Sequence, residues 1–163
     1  MAKNKEEKTN VMRVLEQKKI AYTAHTYPHE EGVAVDGVTV AQSMGFDPAI
    51  VFKTLVARGA SKQYYVFDVP VAESLDLKKA AKAVGEKSIE MIHQKELLPL
   101  TGYVHGGCSP VGMKKLFPTV IHKTAEDLET MIVSAGKIGY QVELSPRDLA
   151  ALVRAKFADI IVE

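Results

Sequence analysis

Apolar positions recur along this 163-residue chain in short runs whose spacing switches between helical and extended periods. Val11, Val14, Leu15 and Lys18 fall at helical spacing and predict a helix over residues 5 to 18, after which Ile20 to Tyr27 alternates as a strand. Helical signals return at Val38 to Met44, stopped by Gly45, and at Pro48 to Phe52, where Asp47 caps and Pro48 occupies the first turn. Strands from Lys53 to Ala57 and from Gln63 to Val69, joined through Arg58-Gly-Ala-Ser-Lys62, predict a hairpin. Asp76 caps a helix over Leu77 to Val84, and Gly85 stops it. Further strands are expected near 88 to 92, 103 to 106, 119 to 122, 131 to 134 and 139 to 144, followed by a helix opened by Ser145-Pro146. The order is mixed, which argues for an α+β fold on a mixed, curved sheet and against regular doubly wound alternation. Without a low-complexity linker or repeat, residues 1 to 163 read as one domain.

Composition narrows the function classes. The chain is 47% hydrophobic and 25% charged, ordinary values for a globular protein with one good core. A net charge of +1 excludes a broad electrostatic grip on nucleic acid, so such a partner has to be held locally. Lys78-Lys79-Lys82 and Lys114-Lys115 read either as solvated faces or as phosphate contacts. No apolar run approaches the roughly 20 residues of a membrane span. The start, Met-Ala-Lys-Asn-Lys-Glu-Glu-Lys, lacks the apolar region of a signal peptide, so the expected location is the cytosol, with no membrane partner. Cys108 is the single cysteine, which rules out an internal disulfide and makes a poor metal framework with scattered histidines.

The candidate chemistry lies in loops. Gly102-Tyr-Val-His-Gly-Gly-Cys-Ser-Pro-Val-Gly-Met-Lys-Lys115 is too glycine-rich for a helix or strand interior, and such a loop can bring backbone N–H groups together on a negative or polarised atom. Ser134-Ala-Gly-Lys-Ile-Gly139 repeats the recipe of small residues beside a lysine. Together they predict a pocket lined by main chain. Lys53, in Val51-Phe-Lys-Thr-Leu-Val56, has the most apolar setting of any lysine and shares a strand face with Leu55. It reads either as a snorkelling side chain at a strand end or as an inward cation lodged in a polar cavity. The common motifs fail. Gly107-x-x-x-x-Gly112 lacks the lysine and hydroxyl of a P-loop, and His105-Gly-Gly107 has no nucleophile elbow to serve. Cys108 and Ser109 have no base paired to them in sequence, and Cys108 reads as a small packed side chain. Pro28 spoils a helical ligand pair of His25 and His29, which read as polar residues at a strand end.

An ordered series of motifs carries a resemblance: His25-Thr-Tyr27, Val51-Phe-Lys-Thr-Leu55, Leu75-Asp-Leu-Lys-Lys79, Thr101-Gly-Tyr103, Gly106-Gly-Cys-Ser-Pro-Val-Gly-Met-Lys-Lys115, Val133-Ser-Ala-Gly-Lys137, Val142-Glu-Leu144 and Ala155-Lys-Phe-Ala-Asp159. Over nearly its whole length the chain resembles the YbaK family, free-standing aminoacyl-tRNA deacylases related to the editing domain of bacterial prolyl-tRNA synthetases. The resemblance implies an α+β domain whose mixed, partly barrel-like sheet is surrounded by helices, and removal of cysteine misattached to proline tRNA. It puts the family's essential lysine on Lys53 and a substrate pocket on Tyr27, Thr54, Gly106, Gly107, Ser109, Ser134, Gly136 and Lys137. It implies no cofactor and no metal, and prolyl-tRNA synthetase as a partner beside the tRNA acceptor end. The substrate's own thiol is implied as the nucleophile, giving a cyclic thiolactone. Gln141 stands where some relatives carry an aspartate, and Cys108 where an aliphatic residue is common. Two other classes remain open: a deacylase for alanyl or other small aminoacyl esters acting through water, and a non-catalytic module binding the tRNA 3′ end.

Overall fold

The computed structural model describes residues 8–30 and 32–163. Helix α1, Asn10–Gln17, begins after Thr9, whose hydroxyl accepts the Met12 N–H, and buries Val11, Met12 and Leu15. Residues 5–7 of the expected first helix lie outside the described residues. Strand β1, Tyr22–Thr26, is followed by helix α2, Gly37–Ser43, capped by Asp36. A 3-10 turn over Pro48–Ile50, with Asp47 accepting the Ala49 N–H, delivers the chain into the hairpin of β2, Phe52–Gly59, and β3, Tyr64–Pro70. Asp76 accepts the N–H groups of Lys78 and Lys79 to open α3, Leu77–Val84, and Gly85 ends it in the left-handed region. Strand β4, Ile89–Met91, and helix α4, Gln94–Thr101, precede the glycine-rich loop. Strands β5, Thr119–His122, β6, Met131–Ser134, and β7, Tyr140–Leu144, lead to α5, Pro146–Val153, and β8, Lys156–Ala158.

The strands form an antiparallel three-stranded sheet, β1-β7-β6, and a mixed five-stranded sheet, β4-β2-β3-β5-β8, with β5 parallel to both β3 and β8. The α+β class with a mixed sheet agrees with expectation, but the strands divide between two sheets and do not close into a barrel. A parallel bridge between Val51 and Ile132 joins the sheets at the start of β2. Both faces of the β2–β3 ribbon are covered: Phe52, Val56 and Val66 enter one core cluster with Val11, Leu15, Val133 and Leu149, whereas Ala57, Phe67 and Val69 enter another with Ala80, Val120 and Ile160. Strand β4 pairs only with Ala57, Arg58 and Gly59. Among the described residues, Lys53 to Leu55 therefore pair with no strand on the side away from β3.

Several elements depart from the pattern reading, among them the expected helix at 48 to 52, which is a 3-10 turn ending at Ile50 with Phe52 already in β2, and an unexpected 3-10 turn over Lys123–Asp127. The expected strand at 103 to 106 is a loop, because Gly102 and Gly106 take φ of 90° and the Tyr103 hydroxyl turns back to donate to the Val111 carbonyl. Helix α4 contains Pro99 near its end, where the ring removes one late hydrogen bond and leaves the first turn intact. Strand β8 is three residues long, too short to show an alternation, and is recruited by its parallel register on β5. No helix among the described residues is long and apolar enough to cross a membrane.

The two glycine loops pack directly on the core. Gly136 has φ of 93°, and a Cβ there would lie 2.9 Å from the Tyr103 ring and 3.0 Å from Val11. Gly136→Ala is expected to lower stability by on the order of 1–3 kcal/mol. Urea unfolding of the two proteins measures this directly.

Candidate active site

A cavity of about 560 Å³ opens where the two sheets part. Its walls come from the uncovered edge of β2 through Lys53, Thr54 and Leu55, from Tyr27 after β1, from Ser134, Tyr140 and Gln141 on β6 and β7, and from Ala34 to Gly37. The glycine-rich loop adds His105, Gly106 and Cys108. Neighbouring strand residues project to opposite faces, yet Lys53 and Thr54 reach the same cavity because no strand covers the edge between them.

Lys53 is half-buried, lies opposite Val69, and has no hydrogen-bond or ion-pair partner among the described residues. An ammonium drawn partly out of water without a carboxylate beside it is held ready for an anionic or strongly polarised ligand group. The geometry thus favours the inward reading of this lysine over a snorkelling one.

Thr54 faces Asp68 directly across the β2–β3 ladder, 2.6 Å separating its hydroxyl from the carboxyl oxygen Oδ1. Asp68 is fully buried, its Oδ2 has no partner, and burial pushes its pKa up to about 7. Cys108 lies close enough that burial, with the Asp68 charge adding to it, pushes the thiol up to about 12. Cys108 therefore remains an S–H at neutral pH, and it is not an activated nucleophile.

The glycine loops pack tightly against each other and against the segment before α2. At Gly106 φ is 90° and a Cβ would lie 2.7 Å from the Ala34 Cβ, so glycine is needed for the loop to close on that segment. A Cβ on Gly107 would lie 3.0 Å from the Ile138 nitrogen, which shows how tightly the two loops pack. The Gly107 N–H donates to the Val104 carbonyl and the Gly136 N–H to the Ser134 hydroxyl, so these two amides are engaged within the loops. Of the residues singled out in the sequence, Tyr27, Lys53, Thr54, Gly106 and Ser134 line the cavity. Gly107, Ser109, Gly136 and Lys137 lie outside its lining. Ser109 is buried with its hydroxyl accepting the Val111 N–H, and the Lys137 ammonium sits 5.3 Å from the Tyr140 ring centroid.

No sequence motif singles out Asp68, and Gln141 is marked only as the position where some relatives carry an aspartate. Gln141 is buried, lines the cavity, and leaves its Oε1 without a partner. A lone acid inside the apolar run Tyr64-Tyr-Val-Phe-Asp-Val-Pro70 was the available signal for Asp68. The histidines have separate partners: His25 pairs with Glu143 at 2.8 Å, and His29 bonds the Tyr27 carbonyl through Nδ1 at 2.9 Å. Glu143 is held below its ordinary pKa first by the Thr130 hydroxyl and then by His25. Lys79 is taken by Asp159 at 3.2 Å, whereas Lys114 and Lys115 are exposed on the glycine-rich loop.

Comparison with known proteins places this cavity in context. The family model of the aminoacyl-tRNA editing domain matches residues 32–152. A protein of Enterococcus faecalis provisionally named Cys-tRNA(Pro)/Cys-tRNA(Cys) deacylase EbsC is 45% identical over 161 residues, covering 98% of each chain. A solved structure provisionally described as a trans-editing enzyme for prolyl tRNA synthetase is 25% identical, with a TM-score of 0.79 over 94% of this chain and 95% of that one. A hypothetical protein of solved structure shares the fold at 20% identity, with a TM-score of 0.82 over 93% of this chain and 99% of that one.

The buried Asp68 makes stability depend on pH in a defined direction. Its folded pKa of about 7 lies above the ordinary 3.8, so the folded state holds a proton that the unfolded state releases. That stabilisation is complete below the ordinary value and is lost as pH rises through about 7. Asn cannot titrate, so Asp68→Asn is expected to gain on the wild type by up to about 4 kcal/mol between about pH 4 and pH 8. Paired urea titrations across that range would show the gain, and a constant difference would contradict it.

Proposed function

The chain belongs to the aminoacyl-tRNA editing domain family, and on that premise we propose that it removes cysteine misattached to proline tRNA. The observation that best supports this reading is a cavity that holds an unpaired lysine but no activated protein nucleophile. Residues 1 to 163 are taken as one editing domain, acting in the cytosol where its tRNA substrate is made.

An aminoacyl ester is already activated, so a site needs chiefly to orient it and stabilise its carbonyl oxygen, each well-placed donor contributing on the order of 3 kcal/mol. Lys53 holds the terminal adenosine phosphate or polarises the ester, while Tyr27, Thr54 and Ser134 position the aminoacyl end; all four line the cavity. The substrate thiol attacks its own carbonyl: a sulfur–carbon bond forms, the ester carbon–oxygen bond breaks, and the thiol proton passes to the ribose oxygen. The products are a cyclic thiolactone and free tRNA. Cys108, a neutral thiol packed in the wall, fills space beside Thr101 and Asp68.

Selectivity then rests on the amino acid more than on the tRNA. The Enterococcus relative carries two cysteinyl-tRNAs in its name, and this chain's net charge of +1 gives little long-range attraction to any tRNA. Exposed Lys114 and Lys115, with Lys137, would touch acceptor-stem phosphates. Prolyl-tRNA synthetase is the partner that would supply tRNA identity by presenting its own mischarged product.

Turnover of cysteinyl, alanyl and seryl esters on proline tRNA decides among the readings. Cysteinyl turnover alone supports substrate assistance, comparable alanyl turnover supports water attack, and no turnover supports a binding module. Lys53→Ala is expected to keep the fold and lose deacylation by on the order of 100-fold or more, with no rescue by Lys53→Arg. Near-normal turnover by the alanine variant would remove Lys53 from the mechanism. Cys108→Ala is expected to stay within about threefold of wild type, since its thiol is not ionised at neutral pH. A covalent acyl adduct on the wild-type thiol would overturn that role.

A further inference from the structure

The Thr54–Asp68 hydrogen bond is the feature of the cavity wall that the deacylase chemistry leaves unused, and any role for it in turnover rests on that deacylase reading. Its 2.6 Å length admits two arrangements of the proton. In the first, an ionised Asp68 accepts from the Thr54 hydroxyl, which leaves a fully buried anion with one hydrogen bond, an orphaned Oδ2 and no cation among the described residues. Such a charge is expensive away from water. In the second, the neutral acid donates from Oδ1 to the Thr54 oxygen, and Oδ2 remains an uncharged carbonyl oxygen whose missing partner costs far less.

The surroundings favour the second arrangement. From β2 the partner is Thr54, from the glycine-rich loop the titratable group nearby is the Cys108 thiol, and from β5 the register partner is the apolar Ile121. Cys108 in turn hydrogen-bonds with Thr101 at the end of α4. Lys53, next along β2, projects from the other face of the ribbon and forms no ion pair with Asp68. A hydroxyl has one proton, so the direction of this bond decides what Thr54 offers to the cavity.

We propose that Asp68 is a positioning residue that carries the proton of the Thr54–Asp68 bond, so that the Thr54 hydroxyl donates into the cavity to the ester carbonyl oxygen of the bound aminoacyl group. Loss of the Asp68 proton reverses the bond, and Thr54 then faces the substrate as an acceptor with nothing to give the developing oxyanion. A burial-raised pKa of about 7 puts this reversal in the working pH range. Asp68→Asn keeps a donor toward Thr54 at every pH, since its carboxamide N–H replaces the acid proton.

The test compares kcat/KM of wild type and Asp68→Asn on cysteinyl proline tRNA across pH, because the ratio cancels titration of the substrate thiol, which both enzymes share. The ratio of variant to wild type is expected to rise at least about tenfold from about pH 6 to pH 8.5, and to stay flat when both proteins also carry Thr54→Val. Carbon-13 NMR of the Asp68 carboxyl in the free wild-type protein gives a readout that needs neither a variant nor turnover. It is expected to show a protonated acid at about pH 6 that ionises near neutrality. A carboxylate already ionised at that lower pH, or a ratio constant with pH, overturns the proposal. Absence of turnover by wild type on any mischarged tRNA overturns the deacylase reading instead, and the NMR titration separates the two failures.

Discussion

The uncovered edge of β2 is the constraint on which the site depends. A strand normally separates the residues of its two faces, but β4 pairs only with Ala57 to Gly59, and the backbone bridge to the three-stranded sheet, Val51–Ile132, falls just before β2. Between those contacts the ribbon is open, and Lys53, Thr54 and Leu55 all border one cavity. The same edge fixes the polar pair behind the wall, because the β2–β3 register that positions Lys53 opposite Val69 also sets Thr54 opposite Asp68. Closing the edge with a longer β4 would hide the lysine and the threonine together.

The loops complete the enclosure by close packing. Gly106 lies against Ala34 and Gly107 against the backbone of Lys137 and Ile138, contacts that any side chain would push apart. The Gly107 and Gly136 amides are satisfied within the loops, and the side chains of Lys53, Thr54, Ser134 and Gln141 line the cavity. The neutral Cys108 thiol is in keeping with a site whose substrate brings its own nucleophile.

What the sequence made legible tracks the range of the interactions involved. Helix α3 appears where Asp76 and Gly85 place it, because both of its signals act within a turn. The β2–β3 hairpin is also local, and it carries Lys53. Lys53 itself was ambiguous, since the burial of a strand residue depends on which neighbour covers the edge. Asp68 was invisible as a site residue because its meaning comes from Thr54, fourteen positions away and aligned by register. The stretch at 103 to 106 read as a strand because Tyr103 and Val104 have strand propensity, yet the left-handed Gly102 and Gly106 on either side make it a turn-bounded loop.

Under the proposed function, this cavity seats the aminoacyl end of tRNA with its ester between Lys53 and Thr54. A crystal structure of the protein with a hydrolysis-resistant amide analogue of 3′-cysteinyl adenosine 5′-monophosphate measures this. The amide carbonyl should lie within hydrogen-bonding distance of the Thr54 hydroxyl, with the Lys53 ammonium beside the carbonyl or the adenosine phosphate and the cysteinyl side chain inside the cavity. An analogue seated elsewhere on the molecule, or one whose carbonyl points away from both residues, would contradict it.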